Sequence, residues 1–184
     1  MPAYAFLFRG LNVGNRRVRM EDLKSMLQAA GCQAVSTVLQ TGSAVALHPA
    51  ESPDDAADQV ERMFAAHFDF ESKTVARRPL ELQGTISQNP FPSMASDDPS
   101  HLLVYFARAT VVPQDVAQVQ AQVAGPEALA CTERELVVAY PNGIGWSTLP
   151  KVKGFNKLVK EATARNWNTV LKLAQELERV SSLA

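Results

Sequence analysis

The sequence has little of the residue types on which much enzyme and metal chemistry depends. Its 184 residues include two cysteines and three histidines. Cys32 and Cys131 stand far apart with no paired spacing, which excludes a disulfide framework and favours a reducing compartment. The three histidines, His48, His67 and His101, lack the spacing of metal ligands. We therefore expect neither a bound metal nor another cofactor.

Long hydrophobic runs are also missing. No apolar stretch is long enough to span a membrane. The apolar segment 2–8 has no basic leader and meets Arg9 before a secretory signal could be completed. We therefore expect a protein of the cytoplasm with no membrane partner. These features leave the oligomeric state open.

No arrangement of nucleophile, base and acid identifies a reaction. Ser43 and Ser147 have no histidine or pair of carboxylates beside them in the sequence, although distant parts of the fold can supply such groups. Serines in turns commonly cap backbone groups, and that is the role expected of both. Whether the protein is an enzyme is therefore left open.

Charge is small in total but unevenly distributed. The formal net charge is −1, of which residues 1–19 contribute +4, residues 141–172 contribute +5 and the remainder −10. If the two cationic segments meet, they form a face that attracts phosphates or other anions; otherwise they are two separate solvated surfaces. A pI of about 6.3 disfavours an extended polyanion. The predicted strands also lack the aromatic and basic pattern of RNA-binding sheets.

The C-terminal segment indicates a helix with one buried stripe. Its apolar residues follow the i, i+3, i+4, i+7 spacing: Trp167, Val170, Leu171, Ala174 and Leu177. Asn166 is placed to cap this helix, and the free N–H groups of the first turn suit an anion. A plain capped helix beside a solvated Arg165 explains the same pattern, and both interpretations stay open.

The first half of the chain alternates strand and helix patterns. The predicted elements are a strand at 3–8, a helix from Met20 that Gly31 ends, strands at 34–39 and 44–47, a helix from Pro53 and a strand at 73–77. A short helix is predicted at 79–88. The strands and the two long helices follow the order β-α-β-β-α-β, which is typical of a ferredoxin-like, or split βαβ, unit.

The same pattern begins again after a segment rich in proline and serine, residues 89–99, which is predicted to be a linker or an exposed loop. The later elements are a strand at 101–107, a helix at 114–123, a hairpin spanning 129–140, and helices near 153–160 and 166–179. No last strand is evident. We predict an α+β protein of two ferredoxin-like halves, residues 1–98 and 99–184, with antiparallel sheets and a helical C-terminus.

Four turn-rich segments stand out when they are taken in order: Phe8–Gly14 (FRGLNVG), Gln40–Ser43 (QTGS), Tyr140–Gly145 (YPNGIG) and Arg165–Val170 (RNWNTV). Together they resemble the family called domain of unknown function 1697, DUF1697. The resemblance spans essentially the whole chain. It implies two α+β subdomains similar to ferredoxin-like halves, and it carries no established activity.

Two positions depart from the pattern of that family. Thr41 and Ser43 stand where the family usually has Gln-Ser-Gly-Asn, so an amide is missing from this segment. Trp146 stands where a basic residue commonly follows the Gly-Ile-Gly turn. Trp146 is therefore expected either to pack or to stack on a base or ring.

Two functions of different classes fit these features. The first is a binding site for a small anionic or nucleotide-like ligand, formed between the two halves where the cationic segments meet. Its predicted residues are Arg9 and Arg165 for charge, Gly10, Gly14 and Gly143 for close backbone approach, and Asn12, Asn142, Asn166 and Asn168 for neutral hydrogen bonds. The second is a non-enzymatic interaction module whose cationic face docks an acidic protein or nucleic acid.

Overall fold

Two stretches of the chain form the same order of strands and helices. The computed structural model describes residues 1–40 and 42–184, so the predicted departure at Thr41 lies outside the described residues. The first stretch contains β1 (Ala3–Phe8), α1 (Met20–Ala29), β2 (Gln33–Thr37), β3 (Ser43–Leu47), α2 (Pro53–His67) and β4 (Thr74–Arg77). Two short helices follow, α3 (Pro79–Ser87) and α4 (Pro92–Asp97).

The second stretch repeats this order in a modified form. It contains β5 (Leu102–Phe106), α5 (Pro113–Gln120), β6 (Ala128–Cys131), β7 (Glu135–Ala139), α6 (Phe155–Val159), β8 (Thr163–Asn166) and α7 (Trp167–Ser181). Three short 3₁₀ turns lie at Pro99–His101, Ile144–Trp146 and Leu149–Lys151.

Each stretch forms one four-stranded sheet in which every neighbouring pair of strands is antiparallel. The strand orders are β2-β3-β1-β4 and β6-β7-β5-β8, so the first and third strands of each stretch lie side by side in the centre. This is the strand order of a ferredoxin-like sheet. The predicted α+β fold with antiparallel sheets and a helical C-terminus is therefore confirmed.

The core of the first sheet depends on aromatic side chains of the central strand. Tyr4, Phe6 and Phe8 alternate along β1 and are fully buried. Tyr4 and Phe6 stand opposite Ala46 and Ala44 in β3. Large side chains on one strand beside small ones on the next leave room for the apolar faces of α1 and α2, which join the same cluster.

The core of the second sheet is formed by aliphatic residues and one buried polar pair. Val116 and Val119 of α5 pack in the same cluster as Val138 and Tyr140 at the end of β7. The hydroxyl oxygens of Tyr140 and Tyr105 lie 2.7 Å apart. Burial raises the pKa of both phenols, so the pair stays neutral and satisfies its own hydrogen bond.

Two local predictions were wrong. The segment 89–99 was expected to be a linker, but it contains α4, because Pro92 occupies the first helical position, where its missing N–H and fixed φ are tolerated. The second error is that no last strand was predicted for the second half, whereas the structure contains β8. This strand pairs with β5 and places Arg165 opposite Val104. Its four residues carry no apolar alternation, since the buried positions are Thr163 and Arg165.

Contacts along the chain define two compact units. One unit comprises Met1–Gln83 together with Leu171–Ala184, and the other comprises Gly84–Val170. The prediction divided the chain between residues 98 and 99, whereas residues 84–98 group with the second unit. Helix α7 begins in the second unit, and its greater part, from Leu171 onward, groups with the first unit.

Among the described residues, no helix is long and apolar enough to cross a membrane.

Cys32 and Cys131 are unpaired, and burial raises the pKa of the Cys32 thiol to about 12. A thiol with so high a pKa is a poor nucleophile at neutral pH, which fits a packing role for Cys32.

Candidate functional site

The first group of predicted site residues lies on the loop between β1 and α1, which we call the arginine loop (residues 9–19). All four of its arginines are exposed: Arg9, Arg16, Arg17 and Arg19. Arg19 pairs with Asp22, with 2.8 Å between Nε and Oδ2. Within the described residues, neither Arg16 nor Arg17 has an acidic partner. The loop therefore presents positive charge that the protein itself does not neutralise.

Asn12 organises this loop. Its Nδ2 donates a hydrogen bond to the carbonyl oxygen of Gln40 at 3.2 Å, and its Oδ1 accepts one from the N–H of Val18 at 2.9 Å. Its own N–H donates to the carbonyl oxygen of Arg16 at 2.7 Å. Asn12 has φ +58, a left-handed conformation that asparagine tolerates well. The side-chain amide is thus engaged within the protein.

Arg16 is held close to the loop backbone. Its guanidinium carbon lies 5.7 Å from the ring centroid of Phe70, the geometry of a cation–π contact. Its Nη1 lies 3.4 Å from the place that a β-carbon on Gly10 would occupy. Gly10, with φ +71, therefore allows both the turn and the close approach of this guanidinium.

The backbone of the arginine loop turns through left-handed conformations at Gly10, Asn12 and Gly14, with φ +71, +58 and +59. Turns of this kind can direct N–H groups toward one concave side, where they bind anions. In the described part of the chain, neither Gly10 nor Gly14 donates its N–H to a protein acceptor. The loop therefore combines guanidinium groups with available backbone donors.

The second group of predicted residues lies in the other unit, at the end of β7. We call residues 141–147 the asparagine–glycine turn. Gly143 has φ +81 and donates its N–H to the carbonyl oxygen of Tyr140 at 2.8 Å. Asn142, Ile144 and Trp146 are exposed, and Trp146 is 87% exposed. The indole of Trp146 therefore presents most of its surface to solvent.

His101 borders this turn and was not among the predicted site residues. Its Nδ1 lies 2.6 Å from Oδ2 of Asp98, and the hydroxyl of Ser100 donates to the other carboxylate oxygen at 2.8 Å. These two hydrogen bonds, with Ser100 the larger cause, lower the pKa of Asp98. On the opposite side of the ring, His101 Nε2 lies 3.3 Å from the position of a β-carbon on Gly143. The spacing Asp-x-x-His was the available clue to this pair.

Asn166 and Asn168 lie at the same end of the second sheet, because β8 ends there and the 3₁₀ turn at Pro99–His101 packs against it. Oδ1 of Asn166 accepts hydrogen bonds from the N–H and the hydroxyl of Thr169, at 3.0 and 2.9 Å. The predicted helix cap is therefore present. Asn168 is exposed in the first turn of α7.

Arg165 is not on the surface. It is 8% exposed, and its Nη1 donates to the hydroxyl of Thr163 at 2.9 Å and to the carbonyl oxygen of Ala164 at 2.7 Å. Burial lowers the pKa of its guanidinium to about 10, which leaves the group charged at neutral pH. Its charge is therefore directed into the protein and not toward solvent.

The second cationic segment borders an open groove of about 490 Å³ in the second unit. The groove lies between α5 and the start of α6, with Val119, Leu158 and Gly154 on its floor. Lys153 and Lys157 stand at its edge, and Lys157 Nζ lies 3.9 Å from Asp115. Lys153 and Lys157 thus line a groove that contains no residue of the asparagine–glycine turn.

The structure therefore groups the predicted residues by unit. Arg9, Gly10, Asn12 and Gly14 share one loop of the first unit, and Asn142, Gly143, Asn166 and Asn168 share one end of the second sheet. In the described part of the chain, no group of three or more histidine, cysteine or acidic side chains is placed to hold a metal ion.

The fold and these surfaces define an α+β protein built from two ferredoxin-like sheets. The sequence matches the family model described as "Protein of unknown function (DUF1697)" over residues 1–136. The chain belongs to this family. The matched region contains the arginine loop and His101 and ends before the asparagine–glycine turn.

Among solved structures, the chain is similar to one titled "The structure of conserved bacterial protein SP0830 from Streptococcus pneumoniae". The TM-score is 0.76 at 23% sequence identity, and the alignment covers 97% of this chain and 99% of that one. At this identity the likeness shows the fold alone. The comparison with curated proteins gave no match.

Proposed function

We propose that the protein binds a small anionic or nucleotide-like ligand through the arginine loop. The observation that supports this proposal is Arg16, whose guanidinium contacts the Phe70 ring and lies beside Gly10 while its charge has no acidic partner among the described residues. The contact with Phe70 reduces the side-chain entropy that this arginine loses on binding an oxoanion.

The backbone of the loop adds to this site. The side chain of Asn12 bonds to Gln40 outside the loop and to Val18 within it, so the arginines lie on an ordered segment. The available N–H groups of Gly10 and Gly14 match the oxygens of a phosphate or carboxylate. Fixed donors combined with guanidinium groups favour a compact anion over a broad acidic surface.

A thermal-shift screen of inorganic phosphate, nucleotides, sugar phosphates and carboxylates tests the proposal. A ligand at about 100 times its dissociation constant stabilises the folded state by roughly 2.7 kcal/mol. Because a charge-assisted hydrogen bond contributes about 1.5–3 kcal/mol, Arg16→Gln should weaken a genuine hit about tenfold or more. Arg9→Gln and Arg17→Gln test the two neighbouring cations.

One variant serves as a matched control, because it removes the same charge outside the loop. Lys24→Gln removes an exposed cation of α1. It should leave the affinity within about twofold, since exposed charges at a distance are screened by salt. Equal affinity in Arg16→Gln and the unchanged protein would show that the loop is not the site.

The alternative function, docking of an acidic protein or nucleic acid, predicts a different pattern. Binding by a broad cationic face should show no saturable stabilisation by small anions and should weaken steeply with salt. A small-anion hit that depends on Lys153 and Lys157 instead of Arg16 would place the site at the groove beside α5.

A further inference from the structure

We propose that His101 and the asparagine–glycine turn form a second binding site, in the second unit, for an adenine-type base carrying an exocyclic amino group. This site goes beyond the anion site of the arginine loop, because it recognises an uncharged ring. Three observations carry the proposal: the oriented imidazole of His101, the absence of a side chain at Gly143, and the exposure of Trp146.

Asp98 fixes the hydrogen-bonding character of His101. A carboxylate only accepts hydrogen bonds, so the short contact of 2.6 Å requires that Nδ1 of the ring carries the hydrogen. In the neutral ring, Nε2 is then an acceptor with a free lone pair. The side chain of His101 is 41% exposed, so a ligand can reach it.

Gly143 leaves space beside that acceptor. A β-carbon at this position would lie 3.3 Å from His101 Nε2, and the φ of +81 is one that residues with side chains rarely adopt. The turn can therefore pass close to the imidazole without covering it. Asn142, exposed and next in sequence, adds an amide with both donor and acceptor groups at the same place.

Trp146 supplies an exposed flat face on the same turn. It follows Gly143 by three residues in a 3₁₀ turn, so its backbone lies about 6 Å farther along the turn axis. Its indole is 87% exposed, and indole faces stack on bases. The same turn exposes Ile144, which enlarges the apolar surface.

These three features match an adenine-type ring. The exocyclic amino group can donate to His101 Nε2, and an asparagine amide can pair with the amino group and the adjacent ring nitrogen of adenine in a bidentate way. Stacking on Trp146 would hold the ring plane. No positive charge is required, which separates this site chemically from the arginine loop.

Titration of the full-length protein with adenosine, which has no phosphate, tests the proposal. Adenosine should quench tryptophan fluorescence to saturation, and Trp146→Phe should abolish the quenching because Trp167 is only 5% exposed. Calorimetry should show binding at least about fivefold weaker for His101→Gln and for Asp98→Asn, the loss expected for one hydrogen bond. Inosine, which lacks the amino group, should bind at least about fivefold more weakly than adenosine.

His67→Gln removes an exposed histidine elsewhere and should leave adenosine affinity unchanged. Adenosine carries no phosphate and inorganic phosphate carries no base, so failure of this site and failure of the anion site can be distinguished. Absence of saturable quenching would overturn the proposal. Equal affinity for inosine, or wild-type affinity in folded His101→Gln and Asp98→Asn variants, would do so too. If a single-stranded oligoadenylate binds far more tightly per base than adenosine, the small-molecule assignment is wrong.

Discussion

Gly42 and Leu11 are packed so closely that a β-carbon added to Gly42 would lie 2.8 Å from Cβ of Leu11. The two residues join the arginine loop to the start of β3. Gly42 also accepts a hydrogen bond from the N–H of Phe8, at 2.9 Å, and has φ +72. The close approach of Leu11 and the positive φ therefore both require glycine at this position in the Gln-Thr-Gly-Ser segment.

Gly42→Ala should destabilise the protein by about 3 kcal/mol, combining overpacking against Leu11 with the strain of a left-handed alanine. Urea denaturation measures this change. The matched control is Gly84→Ala in α3, where no atom lies within 4 Å of the added carbon. That substitution should be neutral or stabilise by about 0.5–1 kcal/mol, because alanine favours a helix. Equal effects at both positions would contradict the packing argument.

Asn12→Ala should destabilise the protein by about 2 kcal/mol, since it removes two hydrogen bonds and puts alanine in a left-handed conformation. Asn12→Gly separates these causes, because glycine keeps the conformation and loses only the hydrogen bonds. In both variants the amide of Val18 should exchange hydrogen faster, since its acceptor is Asn12 Oδ1. Unchanged protection of Val18 would show that Asn12 does not organise the loop.

Asn166→Ala should cost about 1 kcal/mol of unfolding free energy, because its side chain caps α7 through Thr169. Asn168→Ala changes a neighbouring asparagine that is exposed and should fall within about 0.5 kcal/mol of the unchanged protein. The pair of variants, compared by thermal and urea unfolding, isolates the cap. A similar cost at both positions would assign Asn168 an interaction beyond capping.

His48 should make stability fall at acid pH. It is fully buried, its Nδ1 accepts a hydrogen bond from the N–H of Ala50 at 3.1 Å, and burial lowers the pKa of the ring. Above about pH 6.5 the ring is neutral in both folded and unfolded chains, so this contribution to stability is fully present. As pH falls below that value, only the unfolded chain gains the proton readily, and stability declines toward the lower folded pKa.

Urea denaturation at several values between about pH 7 and 5 measures this slope. His48→Gln keeps an acceptor for the N–H of Ala50 and should flatten the slope. His67→Gln, an exposed histidine, should leave it unchanged. An identical slope in His48→Gln would mean that other groups cause the acid sensitivity.

The apolar pattern of the sequence was sufficient to predict seven of the eight strands in the described part of the chain and the class of fold. The continuous apolar run of β1 and the helical stripes of α1 and α2 are local patterns, because a buried strand and the buried face of a helix each repeat apolar residues with the period of the element. The turn glycines were also evident. The residues grouped for a ligand site remain a prediction, since sequence proximity does not report spatial proximity.

Only the tertiary structure decided where the polar residues point. β8 has no apolar alternation, and it exists because its backbone pairs with β5, which buries Arg165 and changes that residue from an expected surface cation to an interior one. The pairing of β5 with β7 brings His101 beside Gly143, 42 positions later in the sequence. Local propensity fixed the elements of this protein, whereas hydrogen bonding between distant strands fixed which side chains are available for chemistry.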